Sequence, residues 1–122
     1  PGWTAPIHEL LRRAGGAVVL HGHDHFFARQ EADGVVYQMV PQPGHPGGNA
    51  AKMAAEYGYL SGDFLSSPGH VRVRVAADAA VIEYVQSSIR TPSADGTVAF
   101  SYRVPARRPA GESPNPKPAA PR

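Results

Sequence analysis

The residues with chemistry to offer stand together at His21-Gly22-His23-Asp24-His25, directly after the apolar run Ala17, Val18, Val19 and Leu20. A short apolar run of this kind reads as a buried strand. Side chains two apart in extended chain project to the same side. His23 and His25 are therefore expected to aim their imidazoles at one point just past the strand's end. Gly22 has no Cβ, so the chain can turn sharply there or let something approach closely. Two neutral imidazoles so arranged suit a divalent transition metal. They are half a site at most, since a structural zinc centre takes about four protein ligands and a catalytic one about three. The alternative is a pair of surface histidines at i, i+2 by chance, and spacing alone does not separate the two.

Composition bounds what can surround that pair. At 122 residues the chain is one domain or less. Cysteine is absent, which removes disulfides and thiolate ligands and leaves His, Asp, Glu, Asn or backbone oxygen to hold a metal. No apolar run approaches the ~18 residues of a membrane span, so none is expected. The chain opens on Pro1 without a methionine or a signal-peptide pattern, and is expected to be part of something longer. The basic balance is local. In residues 104–122, Arg107, Arg108, Lys117 and Arg122 stand against Glu112, a net +3, so of the chain's +2 the first 103 residues carry −1. A near-neutral body offers no basic face for nucleic acid, and none is expected as a partner. The stretch 104–122 holds six of the thirteen prolines and little to bury, and is expected to be a disordered Pro/Ala/Arg-rich tail.

The elements that must position the histidines follow from pattern. Thr4 is a candidate N-cap with Pro6 in the first turn. Ile7, Leu10, Leu11 and Ala14 recur at helical spacing, with Glu9, Arg12 and Arg13 toward solvent and Gly15-Gly16 closing the helix. A strand over 17–21 follows at once. Residues 27–32 and 35–40 flank Asp33-Gly34, the strongest short-range hairpin signal, and Pro41 ends the second strand. Residues 41–68 are long, irregular and rich in Pro and Gly, with a helical turn or two near 51–57. Tyr57, Tyr59 and Phe64 argue that this segment packs, either as a pocket wall beside the histidines or as cover over a core. Runs at 70–76, 81–85 and 97–104 alternate in polarity and read as an antiparallel meander.

Gly22-His23-Asp24-His25 resembles the last signature motif, Gly-His-x-His, of the calcineurin-like metallophosphoesterases. The setting agrees over residues 1–87: a preceding helix, Val-Val-Leu-His-Gly-His-Asp-His-Phe, a hairpin continuing Ala-Arg-Gln-Glu-x-Asp-Gly-Val-Val-Tyr, and a later Gly-x-x-Arg-Val-x-Val strand. The resemblance implies an α+β fold. Residues 1–103 would be the incomplete C-terminal part of an αββα sandwich, mostly antiparallel strands with one N-terminal helix. It implies that His23 and His25 each bind one metal of a dinuclear centre of iron, manganese or zinc, used to hydrolyse phosphoester bonds by metal-activated hydroxide. The middle position varies in that family, so Asp24 carries no inherited role; it is expected to be exposed or to brace the loop. His21 lies outside the motif and reads as a strand-end residue.

The family's other ligand motifs, Asp-x-His, Gly-Asp-x-x-Asp and Gly-Asn-His, do not occur, and Gly62-Asp63 lacks the second Asp. The resemblance therefore implies that the rest of the parent chain lies upstream of Pro1 and that these residues alone hydrolyse nothing. A sandwich half would also expose apolar face and sheet edge and tend to aggregate. The competing reading is a non-catalytic, β-rich binding or structural module with a single histidine-bound metal or none. Of the remaining residues, His8 and His70 are expected to face water, His45 to sit in the loop, Arg29 to be solvated, and Tyr37 and Tyr84 to pack in the sheets.

Overall fold

The computed structural model describes residues 2, 4–45, 47–88 and 90–106. Helix α1 spans Ile7–Arg13 and strand β1 Val18–His21. The hairpin strands are β2, Phe27–Ala32, and β3, Val35–Met39. Helix α2 is Ala50–Glu56, and β4 is the short Asp63–Leu65. Strands β5, Gly69–Val75, β6, Ala79–Gln86, and β7, Val98–Pro105, follow. Among the described residues the class is α+β, with the N-terminal helix expected and a second, α2, where a helical turn or two is expected near 51–57. The expected tail lies outside the described residues from 107 onward, while Val104 and Pro105 belong to β7.

Two sheets form. One runs β1-β3-β2-β4, with β1 parallel to β3 and the other pairs antiparallel. The other is the expected meander β5-β6-β7. The hairpin turns at Asp33 (φ 49°) and Gly34 (φ 74°), the doubly left-handed backbone that matches the twist of the flanking strands. Register fixes the faces. Ala28 sits opposite Met39, and with Phe26 they pack on Ala50 and Ala54 of α2. Phe27 points the other way, stacked on Tyr84 (centroids 5.1 Å, 24° between planes) and against Phe100 (5.5 Å) of the second sheet. The order is thus helices, sheet, sheet. Alternation in β2 and β3 builds it, because both faces of those strands are covered.

The inter-sheet layer also holds polar residues. Gln38 is fully buried; its amide donates to the carbonyls of Ala28 and Met39 and its oxygen accepts from the Tyr102 hydroxyl at 2.9 Å. Arg29 is not the solvated strand residue expected. Its guanidinium lies 4.7 Å from the Tyr102 ring centre and pairs with Glu31 (2.8 Å) and Asp63 (3.3 Å). The aromatic ring beside it makes this inward position tolerable for a cation. Asp63, of the Gly62-Asp63 pair that lacks a second Asp, is one of its counter-charges. On the far face of the second sheet, Glu83 is covered by Arg72 and Arg74, and the Arg72 hydrogen bond holds its carboxyl below the usual range.

Helix α1 departs furthest from expectation. Its N-cap is Pro6, with no side-chain capping bond, rather than Thr4, and none of its residues is fully buried. Ile7 faces solvent. Glu9 is not left to water: it binds Arg12 and Arg13, and the Arg12 hydrogen bond leads in pulling its carboxyl down to about 2. His8 lies half-buried between the Tyr37 hydroxyl (2.7 Å) and Asp33 (3.0 Å), tying the helix to the hairpin turn.

Removing Phe27 empties the inter-sheet contact, so Phe27→Ala should cost about 3–5 kcal/mol. A Cβ at Gly69 would collide with the Tyr84 ring and come within 2.6 Å of the Val85 carbonyl, both rigid cross-strand neighbours. Gly69→Ala should cost about 1–3 kcal/mol or more. Denaturant midpoints check both, and a neutral result at either position would refute this packing.

Candidate functional site

Strand β1 ends at His21, whose carbonyl accepts from the Val40 amide at 2.8 Å. The histidine loop begins there, at the carboxyl end of a strand. It is not extended. His23 has φ 119° and His25 φ 64°, both in the left-handed region, so the alternation rule does not set the directions of the two imidazoles. Gly22, expected to allow a sharp turn or a close approach, is not in that region, and a Cβ added to it would meet open space. The two histidines carry the turn instead. Each such residue costs of order 1–3 kcal/mol and persists only where its surroundings hold it.

The surroundings do hold it. The His25 carbonyl accepts from the Ser67 hydroxyl and, at 3.4 Å, from the Gln42 amide. Ser67 is itself buried, its hydroxyl accepts from the Gln42 amide (3.0 Å), and its carbonyl accepts from Gly47 (3.3 Å). The peptide bond into Pro68 is cis. Tyr84 donates to the carbonyls on both sides of Ser67, Ser66 at 2.6 Å and Pro68 at 3.0 Å. Between the two histidines, Asp24 accepts from the Tyr59 hydroxyl at 2.7 Å. Asp24 thus braces the loop and is not simply exposed. A hydrogen bond to a charged acceptor contributes about 1.5–3 kcal/mol, enough to offset the strain of one such histidine.

Tyr59 comes from the segment between α2 and β4, within the stretch expected to wall a pocket or cover a core. It does pack, edge-on to Phe26 (5.6 Å) and Phe64 (5.7 Å), with its hydroxyl turned to the loop. Burial first, then the Asp24 hydrogen bond, pushes its phenol up to about 12. The wider stretch 41–68 contributes Pro43, Gly44 and Pro68 to a cleft of about 200 Å³ shared with Ser87, Ser88 and Asp95, and His23 and His25 do not line it.

His23 and His25 are both exposed at the rim of the loop, accessible to a ligand. Their donor chemistry fits a transition metal. Among the described residues no group of three or more His, Cys, Asp or Glu gathers to hold an ion, so the pair supplies two donors and no third. His21 is half-buried in β1. His70 is exposed as expected, His45 lies in its loop, and His8, expected to face water, is occupied in the α1–hairpin contact. The tie the sequence reading missed is Ser67; no motif marks a serine 42 residues from the carbonyl it holds. Among the described residues no helix is long and apolar enough to cross a membrane. No family model, no curated protein and no solved structure matches the chain. The likeness to metallophosphoesterases therefore rests on Gly22-His23-Asp24-His25 and its setting alone.

The Tyr59 phenol donates only while neutral. A tyrosine in the unfolded chain ionises near pH ~10. With its folded value at about 12, its contribution is whole below the unfolded value and lost as pH rises through the folded one. Tyr102, raised to about 12 by burial, acts in the same direction. Stability should fall between pH ~10 and ~12, and less steeply in Tyr59→Phe. Denaturant midpoints across that range are the measurement; a flat profile in the unsubstituted protein would contradict the burial of both phenols.

Proposed function

We propose that the chain is the C-terminal portion of a dinuclear-metal phosphoesterase, in which His23 and His25 each bind one transition metal. The observation that carries this reading is the backbone of the motif. Two exposed histidines stand at the carboxyl end of a strand, both in left-handed conformation, with the His25 carbonyl and the intervening Asp24 held by partners from distant parts of the chain. Strain stored in that way gathers where a ligand is bound. Ligands of open sheets also collect beyond the carboxyl ends of strands.

The surfaces support the partial-sandwich reading. Strand β1 has β3 as its one neighbour, in parallel. Parallel strands are ordinarily covered on both faces. Yet Leu20, opposite Gln38 and so on the inward face, is 54% exposed. Val75, which shares the inward face of β5 with Val73, is 80% exposed. Apolar side chains on the inside of a sandwich, uncovered at both flanks, fit a body whose remaining layers come from elsewhere. The iron, manganese or zinc pair would supply Lewis-acid polarisation of the phosphoryl group and an activated water. This chain's share is to hold metal through two imidazoles at fixed positions. The bridging carboxylate, remaining ligands and leaving-group acid would belong to the upstream part of the parent protein.

Two measurements test the reading. Zn²⁺ or Mn²⁺ titrated into the chain should perturb the His23 and His25 rings and no other histidine, and His23→Ala with His25→Ala should abolish the effect. The 122 residues alone should hydrolyse a chromogenic phosphoester no faster than buffer with added Mn²⁺. Metal binding that survives the double substitution would sink the metal assignment. Turnover by the chain alone would sink the division of the centre between two parts of a protein.

A further inference from the structure

Asp24 stands between the two proposed ligands, and its carboxylate is held from 35 residues away. The holder is itself fixed. Tyr59 donates its amide to the Ala54 carbonyl at the end of α2 and sets its ring edge-on between Phe26 and Phe64. Phe26 lies directly after the loop and is buried in the cluster formed with Ala28, Met39, Ala50 and Ala54. The hydroxyl thus projects from a rigid platform toward a three-residue window whose two outer members are left-handed. The other ties, Val40 on His21 and Ser67 with Gln42 on His25, grip backbone carbonyls at the ends of the loop. The tie to Asp24 grips a side chain at its middle.

Resting on the metal-binding reading above, we propose that Tyr59 is a positioning residue for the His23–His25 pair: by fixing Asp24 it locks the left-handed backbone on either side and so presets the two imidazoles for metal. Tyr59 touches neither metal nor substrate in this role. The carboxylate serves as the handle. Asp24 is thereby given a task that its chemical type, an acceptor on a short stem, can perform. Asparagine could also accept the hydrogen bond, and alanine could not.

The test separates positioning from plain stability and from the metal reading. The variants are Tyr59→Phe, which keeps the ring and deletes the hydroxyl, with Asp24→Ala and Asp24→Asn in the same chain. Without metal, the amide-to-Hα couplings of His23 and His25 report φ directly. They should change in Tyr59→Phe and Asp24→Ala and stay put in Asp24→Asn. With Zn²⁺ alone as probe, followed through the His23 and His25 ring resonances, Tyr59→Phe and Asp24→Ala should each weaken binding roughly tenfold. The double variant should lose no more than either single one, and Asp24→Asn should stay within about twofold of the unsubstituted chain. Amide spectra recorded alongside establish that each variant is folded at the temperature used. Should Tyr59→Phe not fold, the Asp24→Ala and Asp24→Asn pair carries the comparison.

Unchanged couplings in Tyr59→Phe would overturn the proposal whatever the metal does. So would a loss of affinity in Asp24→Ala that Tyr59→Phe does not share, which would make Asp24 a ligand in its own right. If the unsubstituted chain binds no Zn²⁺ through His23 and His25, the metal reading fails and takes the proposal with it. Couplings that still respond would then reduce the tie to a loop brace.

Discussion

The hydrogen bond from the Ser67 hydroxyl to the His25 carbonyl is the constraint on which the rest of the structure turns. Ser67 sits in a turn whose flanking carbonyls both accept from the Tyr84 hydroxyl, and Tyr84 is the fully buried aromatic against which Phe27 stacks. One continuous chain of contacts therefore runs from the core of the second sheet, through the turn, to the backbone of the histidine loop. A phenol buried this far needs a partner for its hydroxyl. The turn supplies two carbonyls, and in accepting they are fixed in place. The inter-sheet packing that stabilises the fold is in this way also what holds a strained loop at the surface, although the second sheet contributes no side chain to that loop.

A second consequence concerns the edges. The first sheet places its two interior strands, β2 and β3, between helices on one side and the second sheet on the other, and burial is deepest at the start of β2 and along β3. Strand β1 is different. Among the described residues its one pairing is the parallel one with β3, and its inward Leu20 is 54% exposed. The histidine loop thus hangs from the least covered strand of the sheet. Without the ties to Val40, Ser67 and Tyr59, the loop would have an edge strand as its sole support, and edge strands are where pairing is weakest and most open to exchange.

Much of the architecture was legible in the residues. Asp33-Gly34 fixed the hairpin because the turn requires left-handed backbone at both central positions, which those residues accept. The meander was visible as alternation in Val71, Val73 and Val75 and again around Ile82 and Tyr84. Helix α1 was legible in extent but not in burial: its apolar spacing predicts an inward stripe, and Ile7 instead faces water. Strand β4 was invisible, three residues inside a Pro/Gly-rich segment with no period to detect. Buried Gln38 and half-buried Arg29 were missed for a related reason. Their partners, Tyr102 and Asp63, lie far off in sequence, and a polar residue reads as exposed until its satisfying groups are known.

The site itself was legible as composition and illegible as geometry. Alternation in extended chain was the stated reason for bringing His23 and His25 together, and the backbone at those residues is not extended. What relates the two positions is a tight left-handed path, and such a path has no intrinsic preference for histidine; it exists because Asp24 and the His25 carbonyl are restrained from outside. The residue between the histidines therefore matters more than spacing allows. Spacing assigns it to the opposite face of a strand, away from any ligand. The loop makes it the grip by which residues 35 positions distant reach the motif. Physical weight shifts accordingly from the i, i+2 pattern to the tie at its centre, and an acceptor at that position is as much a condition of the loop's shape as the two imidazoles are of its chemistry.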